Sequence, residues 1–483
     1  MRMFIHGSSD SNPPDSNNQK SIAHRFVVLV LTLVAVQVWL SLLLFLDWGH
    51  GVGRALILGG VLLGLIVIRL RPRPAPETAG GMRSPFWVRI LLVMTLIVDL
   101  GIAGHAILLS IKTHRIPLDQ GQMTWRAARL LWRGENPYGT GALVDDYSFM
   151  ERLAALKDLG MVPPLPRAAL LAALLRYDKT LDPSLRGQIL SVPAKSQLTA
   201  AAAREARLTG YKYGPVLIIL TAPFVLSGLP AVVVMLNAAA CFGLFAAMWR
   251  LLHRLSVAFA GIGLLALLLD RFITWNYLQN TATDVWALLF CALAVQAYLA
   301  RRPMATAATL ALAVGTKIFP SLILLPLLLG FRSARPVALF AALLIAIFLP
   351  WLVWDSGGLA DNVFLWPVVM SKDTTSWLYY VDPSVVISVR AIALVVVVAL
   401  WVRLLSGRET RLFWVLAVVN TLLLLMGGVF HNNYVPWASI WVIAATVEAF
   451  ALGANTRAHL GDEYRTNGAR IPFDARVPIG SIG

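Results

Sequence analysis

The sequence is poor in charge and poorer still in acid. Only 14% of its 483 residues are charged, and 25 Asp and Glu stand against 41 Lys and Arg, a formal net charge of +16. It has two cysteines, Cys241 and Cys291, both inside apolar runs. Their spacing builds neither a disulfide framework nor a zinc pattern and carries no information on redox compartment. No cluster of His, Cys, Asp or Glu has metal-ligand spacing, and neither a P-loop nor a dinucleotide-binding glycine motif occurs. No metal and no cofactor is therefore expected. The basic residues fall mostly in short runs between apolar segments, a placement that fits topology-setting and anionic lipid headgroups better than a nucleic-acid groove. No nucleic-acid partner is expected; membrane lipids are.

What the chain does have is apolar surface. Hydrophobic residues make up 58% of it and the mean hydropathy is +0.71, the composition of an all-α polytopic integral membrane protein. Residues 1–24 are polar and read as a disordered cytoplasmic tail. Within 25–86, Val27 to Leu46 and about Ala55 to Leu70 read as two N-terminal spans, the first too long and too far from the start for a cleaved signal peptide. Arg71, Arg73 and Arg83 place the next loop in the cytoplasm, so the span from about Trp87 to Ile111 delivers residues 112–213 to the outer face. That stretch reads as a large extracytoplasmic loop, with amphipathic helices at 148–159, 167–177 and 198–208.

Apolar runs then centre near residues 222, 240, 263, 292, 310 and 325, completing a membrane module over 87–330. Keeping Arg250/Arg254, Arg301/Arg302 and Arg332/Arg335 in the cytoplasm requires the runs near 222 and near 310–325 to be short or re-entrant. Pro223, Pro230, Gly315 and Pro320 permit this, whereas simple alternation of full spans gives a different answer. Residues 331–454 supply the C-terminal spans, interrupted by a second extracytoplasmic loop at 355–383, and 455–483 form a cytoplasmic tail. The expectation is about 11 to 13 membrane helices, short or re-entrant ones included, in a multi-pass protein of the inner (cell) membrane whose site faces outward.

The rest is organised around the stretch from Pro117 to Tyr138. Asp119 stands just beyond a span and opens a run in which Trp125, Ala128 and Trp132 make an apolar stripe, with Arg126, Arg129 and Arg133 a basic stripe beside it. Such a helix suits a membrane surface, tryptophans in the headgroup layer and arginines towards lipid phosphates. Gly134 stops it and Asn136-Pro137-Tyr138 turns the chain away. Asp119 is either a helix N-cap, an interfacial charge or a working acid that takes a proton from an acceptor hydroxyl while arginines hold an anionic leaving group. Lys317, in an otherwise apolar run, is either a snorkelling lysine with a structural carbonyl partner or a phosphate clamp. His431 precedes Asn432, Asn433 and Tyr434 at a helix end, where a residue with an ordinary pKa of about 6.5 can donate to a phosphate. Asn276, Gln279, Asn280 and Asp284 form a polar loop that either caps the next helix or touches sugar or phosphate. Aromatic residues around Lys372 in the second loop can stack on a sugar. Asp99, inside a span, reads as a helix–helix contact.

Asp119, Ala128, Leu131, Gly134, Asn136, Pro137 and Tyr138, followed in order by Tyr211-Lys-Tyr213-Gly-Pro215, Asn276 to Asn280, Lys317-Ile-Phe-Pro320 and His431-Asn-Asn-Tyr434, resemble the C-type glycosyltransferases (GT-C fold). The nearest resemblance is to polyprenol-phosphate-mannose-dependent mannosyltransferases that elongate phosphatidylinositol mannosides and related glycolipids. The resemblance implies inverting transfer of a sugar, mannose first among candidates, from a polyprenyl-phosphate donor to a lipid-linked or envelope glycan acceptor outside the cytoplasm. It makes Asp119 the general base. Lys317, His431, Arg126 and Arg129 would face the donor phosphate; Asn136, Tyr138, Tyr211, Tyr213, Gln279, Asn280, Lys372, Asn432 and Tyr434 would line the substrates. A polytopic lipid or glycolipid transporter is the alternative; it commonly shows repeats and mid-membrane charge in both halves, neither of which is evident in this sequence.

Overall fold

The structure, a computed structural model, describes residues 26–39, 51–70, 85–114, 116–117, 119–138, 211–365, 378, 381–427 and 434–451. Both expected tails, the amphipathic stretches between 139 and 210, and Lys372, His431 and Asn432 lie outside the described residues. Everything regular among the described residues is helical. Four helices are long and apolar enough to cross a bilayer, a bent pair supplies a fifth if counted as one span, and seven shorter apolar helices accompany them.

α1 (Phe26–Trp39) and α2 (Gly51–Leu70) precede α3 (Phe86–Thr113), which Pro85 opens and a left-handed His114 closes. α3 buries one narrow stripe, Val88, Asp99, Ala103, Ala106 and Ser110, and leaves Leu96, Ile97 and Leu108 exposed, the pattern of a helix at a lipid-facing edge. α4 (Asp119–Trp132) follows, then α5 (Pro215–Thr221) with a 3-10 extension over Ala222–Ser227. The apolar run near 222 is thus short, thirteen residues in two pieces, and Pro223 and the left-handed Gly228 account for the break and the stop.

The interior is built on α6 (Ala231–Leu255), α9 (Asp284–Leu299) and α10 (Pro303–Thr316), most of whose Ala, Val, Leu and Cys side chains are buried. On one side α6 meets α3 and α7 (Val257–Leu268); on the other α10 packs against α13 (Ala334–Leu359). α7 bends by 43° into α8 (Arg271–Ile273) and a π-helical turn, Thr274–Gln279. Asp270 supports the bend: its carboxylate accepts from Phe272 N at 2.9 Å and from Ser439 Oγ at 2.6 Å. The apolar stretch beyond α10 is also broken, into α11 (Ile318–Leu322) and α12 (Pro326–Leu329), with Lys317 extended at the joint.

α14 (Pro383–Leu405), α15 (Leu412–Met426) and α16 (Pro436–Ala451) close the chain. α15 and α16 pack together and against α2. Arg69 of α2 forms an ion pair with the buried Glu409 at 2.8 Å, Trp414 Nε1 donates to Leu65 O at 2.8 Å, and Arg411 donates to Arg69 O at 3.3 Å. Glu448 of α16 accepts from Phe413 N and Trp414 N, satisfying amides of the first turn of α15 that have no intrahelical partner. α2 is thereby bolted to the last two helices.

Candidate functional site

The site grows from two lone charges in apolar surroundings. Asp284 is the first residue of α9, where a carboxylate meets the positive end of the helix dipole, and it is 1% exposed. A carboxylate this buried needs a cation and hydrogen bonds. Lys317 supplies the cation, its Nζ bonded to Asp284 Oδ1. Gln120 supplies the hydrogen bond to Oδ2 at 3.3 Å, while its own Oε1 accepts from Thr283 N at 3.0 Å. Lys317 reaches this point because α10 ends at Thr316 and the backbone turns extended.

Aromatic rings surround the ammonium: Nζ lies 4.2 Å from the Tyr434 ring centroid and 5.8 Å from that of Tyr213, both within cation–π range. The loop entering α9 is fixed from below. Thr281 is held left-handed at φ 61, its carbonyl accepting from Asn237 Nδ2 at 2.6 Å, and Asn237 is steadied by Trp286 Nε1 at 2.9 Å. Gly121 sits against Thr281 and Ile116 with no room for a Cβ. The first turn of α4 is therefore packed directly onto the residues that carry the ion pair. Asp119 is described by its backbone alone and is the chain neighbour of Gln120.

A second group of contacts fastens the far end of α4. Asn136 Oδ1 accepts from Tyr138 N at 3.0 Å, closing the turn after Gly134, and Asn136 Nδ2 donates to Asp355 at 3.3 Å. Asp355 interrupts α13 and its other oxygen accepts from Gly358 N at 2.8 Å. Asn362 donates to Tyr138 O at 3.2 Å. Gly214 donates to Thr316 O at 2.9 Å, its Cα facing the Gly315 carbonyl with no space for a side chain. Tyr213 and Lys317 are thus held side by side by backbone contact between their neighbours.

No family model, curated protein or solved structure matches the chain.

Several sequence expectations change here. Lys317 is not a free phosphate clamp; Asp284 neutralises it. Tyr138 and Tyr211 do not line a substrate surface: both are fully buried, packed edge-on at 5.8 Å, with Tyr138 also edge-on to Trp351. Burial pushes both hydroxyls well above the usual tyrosine range, so they serve as neutral hydrogen-bonding groups, Tyr211 with Thr124 at 3.0 Å and Tyr138 with Tyr213 O at 2.9 Å. Trp125 is 7% exposed among Ala106, Ile116, Val233 and Val234 rather than in a headgroup layer. Trp132 is half exposed and donates to Ala222 O, so α4 is wedged against α5 and its extension. Arg129 stays exposed and Arg126 half-buried. Gln279 is exposed and Asn280 partly so, at the end of the π turn.

Sequence reasoning passed over Gln120, Asp355 and Asn362, and took Asp284 as a helix cap or a sugar or phosphate contact, not as the partner of Lys317. One signal was available for Asp284: a chain with so few acids carries a lone lysine in an apolar run, and such a charge calls for a partner among the lone carboxylates.

Proposed function

We propose that the protein is a membrane glycosyltransferase of the GT-C type, moving a sugar, most readily mannose, from a polyprenyl-phosphate donor to a lipid-linked or glycan acceptor on the extracytoplasmic face. The observation that carries the proposal is the convergence of Asp119's helix start, the Lys317–Asp284 pair and the Tyr213 and Tyr434 rings at one end of the bundle. In this reading Asp119 accepts the proton of the acceptor hydroxyl as its oxygen attacks the anomeric carbon. The bond between that carbon and the phosphate oxygen breaks with inversion, and polyprenyl phosphate leaves with the electron pair. Lys317, already balanced by Asp284, orients through its remaining N–H groups and the tyrosine rings rather than as a bare charge. Asn136 sets the position of α4 through Asp355.

The test is transfer of labelled sugar from a panel of polyprenyl-phosphate sugars to membrane lipid extract, comparing wild type with Asp119→Asn at equal folded yield. The expected result is a loss of about a hundredfold or more, the scale of general-base catalysis. Undiminished transfer by the variant removes Asp119 from the mechanism. A transporter is the second reading, and one feature favours it: Asp99 lies buried within α3, 3.5 Å from Thr274 in the turn that breaks the α7–α8 span. Movement of lipid between leaflets without any sugar transfer would decide for it.

A further inference from the structure

Of the four described helices long enough to cross a bilayer, α14 has the most apolar span. Val385, Ile387, Ile392, Leu394 and Val395 are 45–70% exposed, and the helix packs chiefly on α15. Val386 and Ala393 are buried on the contact face at 6% and 7%. Arg390 shares that face, four residues after Val386 and three before Ala393. It stands seven residues into the helix, about 10 Å from its start at 1.5 Å per residue, inside the segment apolar enough to span a bilayer. An arginine at such a depth needs an anion, a cavity or a polar partner.

The partner it has is modest. Arg390 Nε donates to Met426 O at 3.2 Å, the last carbonyl of α15. A helix C-terminus attracts a cation but carries only about half a negative charge. Among the described residues no carboxylate pairs with Arg390, whereas Lys317 is matched by Asp284 and Arg69 by Glu409. The Nε contact fixes the guanidinium and leaves its terminal fork of N–H groups, the geometry that grips a phosphate through two oxygens. Helical side chains lean towards the N-terminus of their helix, here the Pro383 end, where α15 finishes and Tyr434 begins the approach to α16.

We propose that Arg390 binds the phosphate group of a bilayer lipid at the mouth of the groove between α14 and α15. Exposed Ile387 and Leu394, three residues before and four after Arg390, lie along the lipid's chain, and the guanidinium neutralises the headgroup. The occupant is a lipid phosphate rather than a soluble one because the cation lies on a helix whose exposed residues from Ala391 to Val402 are all apolar. The inference stands without the glycosyltransferase reading but deepens it, since a polyprenyl phosphate is such a lipid.

The experiment is equilibrium binding of radiolabelled polyprenyl monophosphate and of diacyl phosphatidate to the full-length protein in neutral-detergent micelles, each with inorganic phosphate as competitor. Wild type is compared with Arg390→Gln, Arg390→Lys and Arg254→Gln, an exposed cation at the end of α6. Arg390→Gln should weaken lipid binding about tenfold or more, Arg390→Lys by less, and Arg254→Gln not at all, as expected for loss of a charge-assisted fork. Inorganic phosphate should not compete at equal concentration. Lipid binding unchanged in both Arg390 variants, or displaced equally well by inorganic phosphate, overturns the inference. If Arg390→Gln does not fold, Arg390→Lys carries the comparison, because a residue that only caps α15 would lower the unfolding temperature without altering lipid affinity. Arg390-dependent binding of phosphatidate with none of polyprenyl phosphate keeps the lipid site and counts against the proposed function. Asp119-dependent sugar transfer with unaltered binding in both Arg390 variants does the reverse.

Discussion

A single buried ion pair sets the terms at the residue scale. Lys317 and Asp284 each sit in apolar surroundings, and each is tolerable chiefly because of the other. Lys317→Met should leave an uncompensated buried carboxylate and destabilise the protein by about 3–5 kcal/mol. The double variant Lys317→Met with Asp284→Leu should recover much of that, since replacing both charges by apolar groups removes the unpaired one. Thermal unfolding of the three variants in detergent checks this; a double variant no better than the single would show that the pair is not the principal partner of either charge. Sugar transfer should remain lost in the double variant, which separates stability from function. Lys317 was legible in sequence as a charge out of place. Its partner was not, because 33 residues separate the two and only the packing of α9 against α10 brings them together.

At the scale of elements, the turn after α4 and the break in α13 hold one another. Asn136→Ala and Asp355→Ala should each cost about 1 kcal/mol, the usual worth of one hydrogen bond, and a double-mutant cycle should show coupling of at least about 0.5 kcal/mol if the contact is direct. Full additivity would mean that the two loops are fastened elsewhere. Gly214→Ala should be worse than either, because the added Cβ meets the Gly315 carbonyl, which is backbone and cannot swing aside. A penalty at or above the 1–3 kcal/mol of ordinary overpacking is expected, read as a fall in unfolding temperature and in folded yield. Helices α3, α6, α13 and α14 were all evident from hydropathy, whereas the short pieces near 222 and 317 were one of two readings, permitted by Pro223 and Gly315 and required only if the basic clusters share one face. The burial of Trp125 was hidden: a stripe of tryptophan and alanine looks the same whether it faces headgroups or the neighbouring α6.

For the whole molecule, α2 proved to be part of the C-terminal packing rather than an appendage to the core. Arg69 is one-third exposed, and Glu409 keeps the amides of Thr410 and Arg411 as donors, so Arg69→Met should lower stability by less than about 1 kcal/mol. Glu448→Ala should cost about 1–3 kcal/mol, because the amides of Phe413 and Trp414 lose their acceptor inside the protein. Unfolding temperatures that rank the two the other way would assign the junction to the ion pair instead of the cap. None of this was readable from hydropathy, which marks spans but not their neighbours. The bond between Arg69 and Glu409 joins residues 340 positions apart. At a synthesis rate of about 5–20 residues per second, α2 waits on the order of 20 to 70 s in the membrane before its partner leaves the ribosome. Throughout that interval the first hairpin is an incomplete surface, exposed to lipid, to insertion factors and to proteases, and a chain cut short before α15 never covers it.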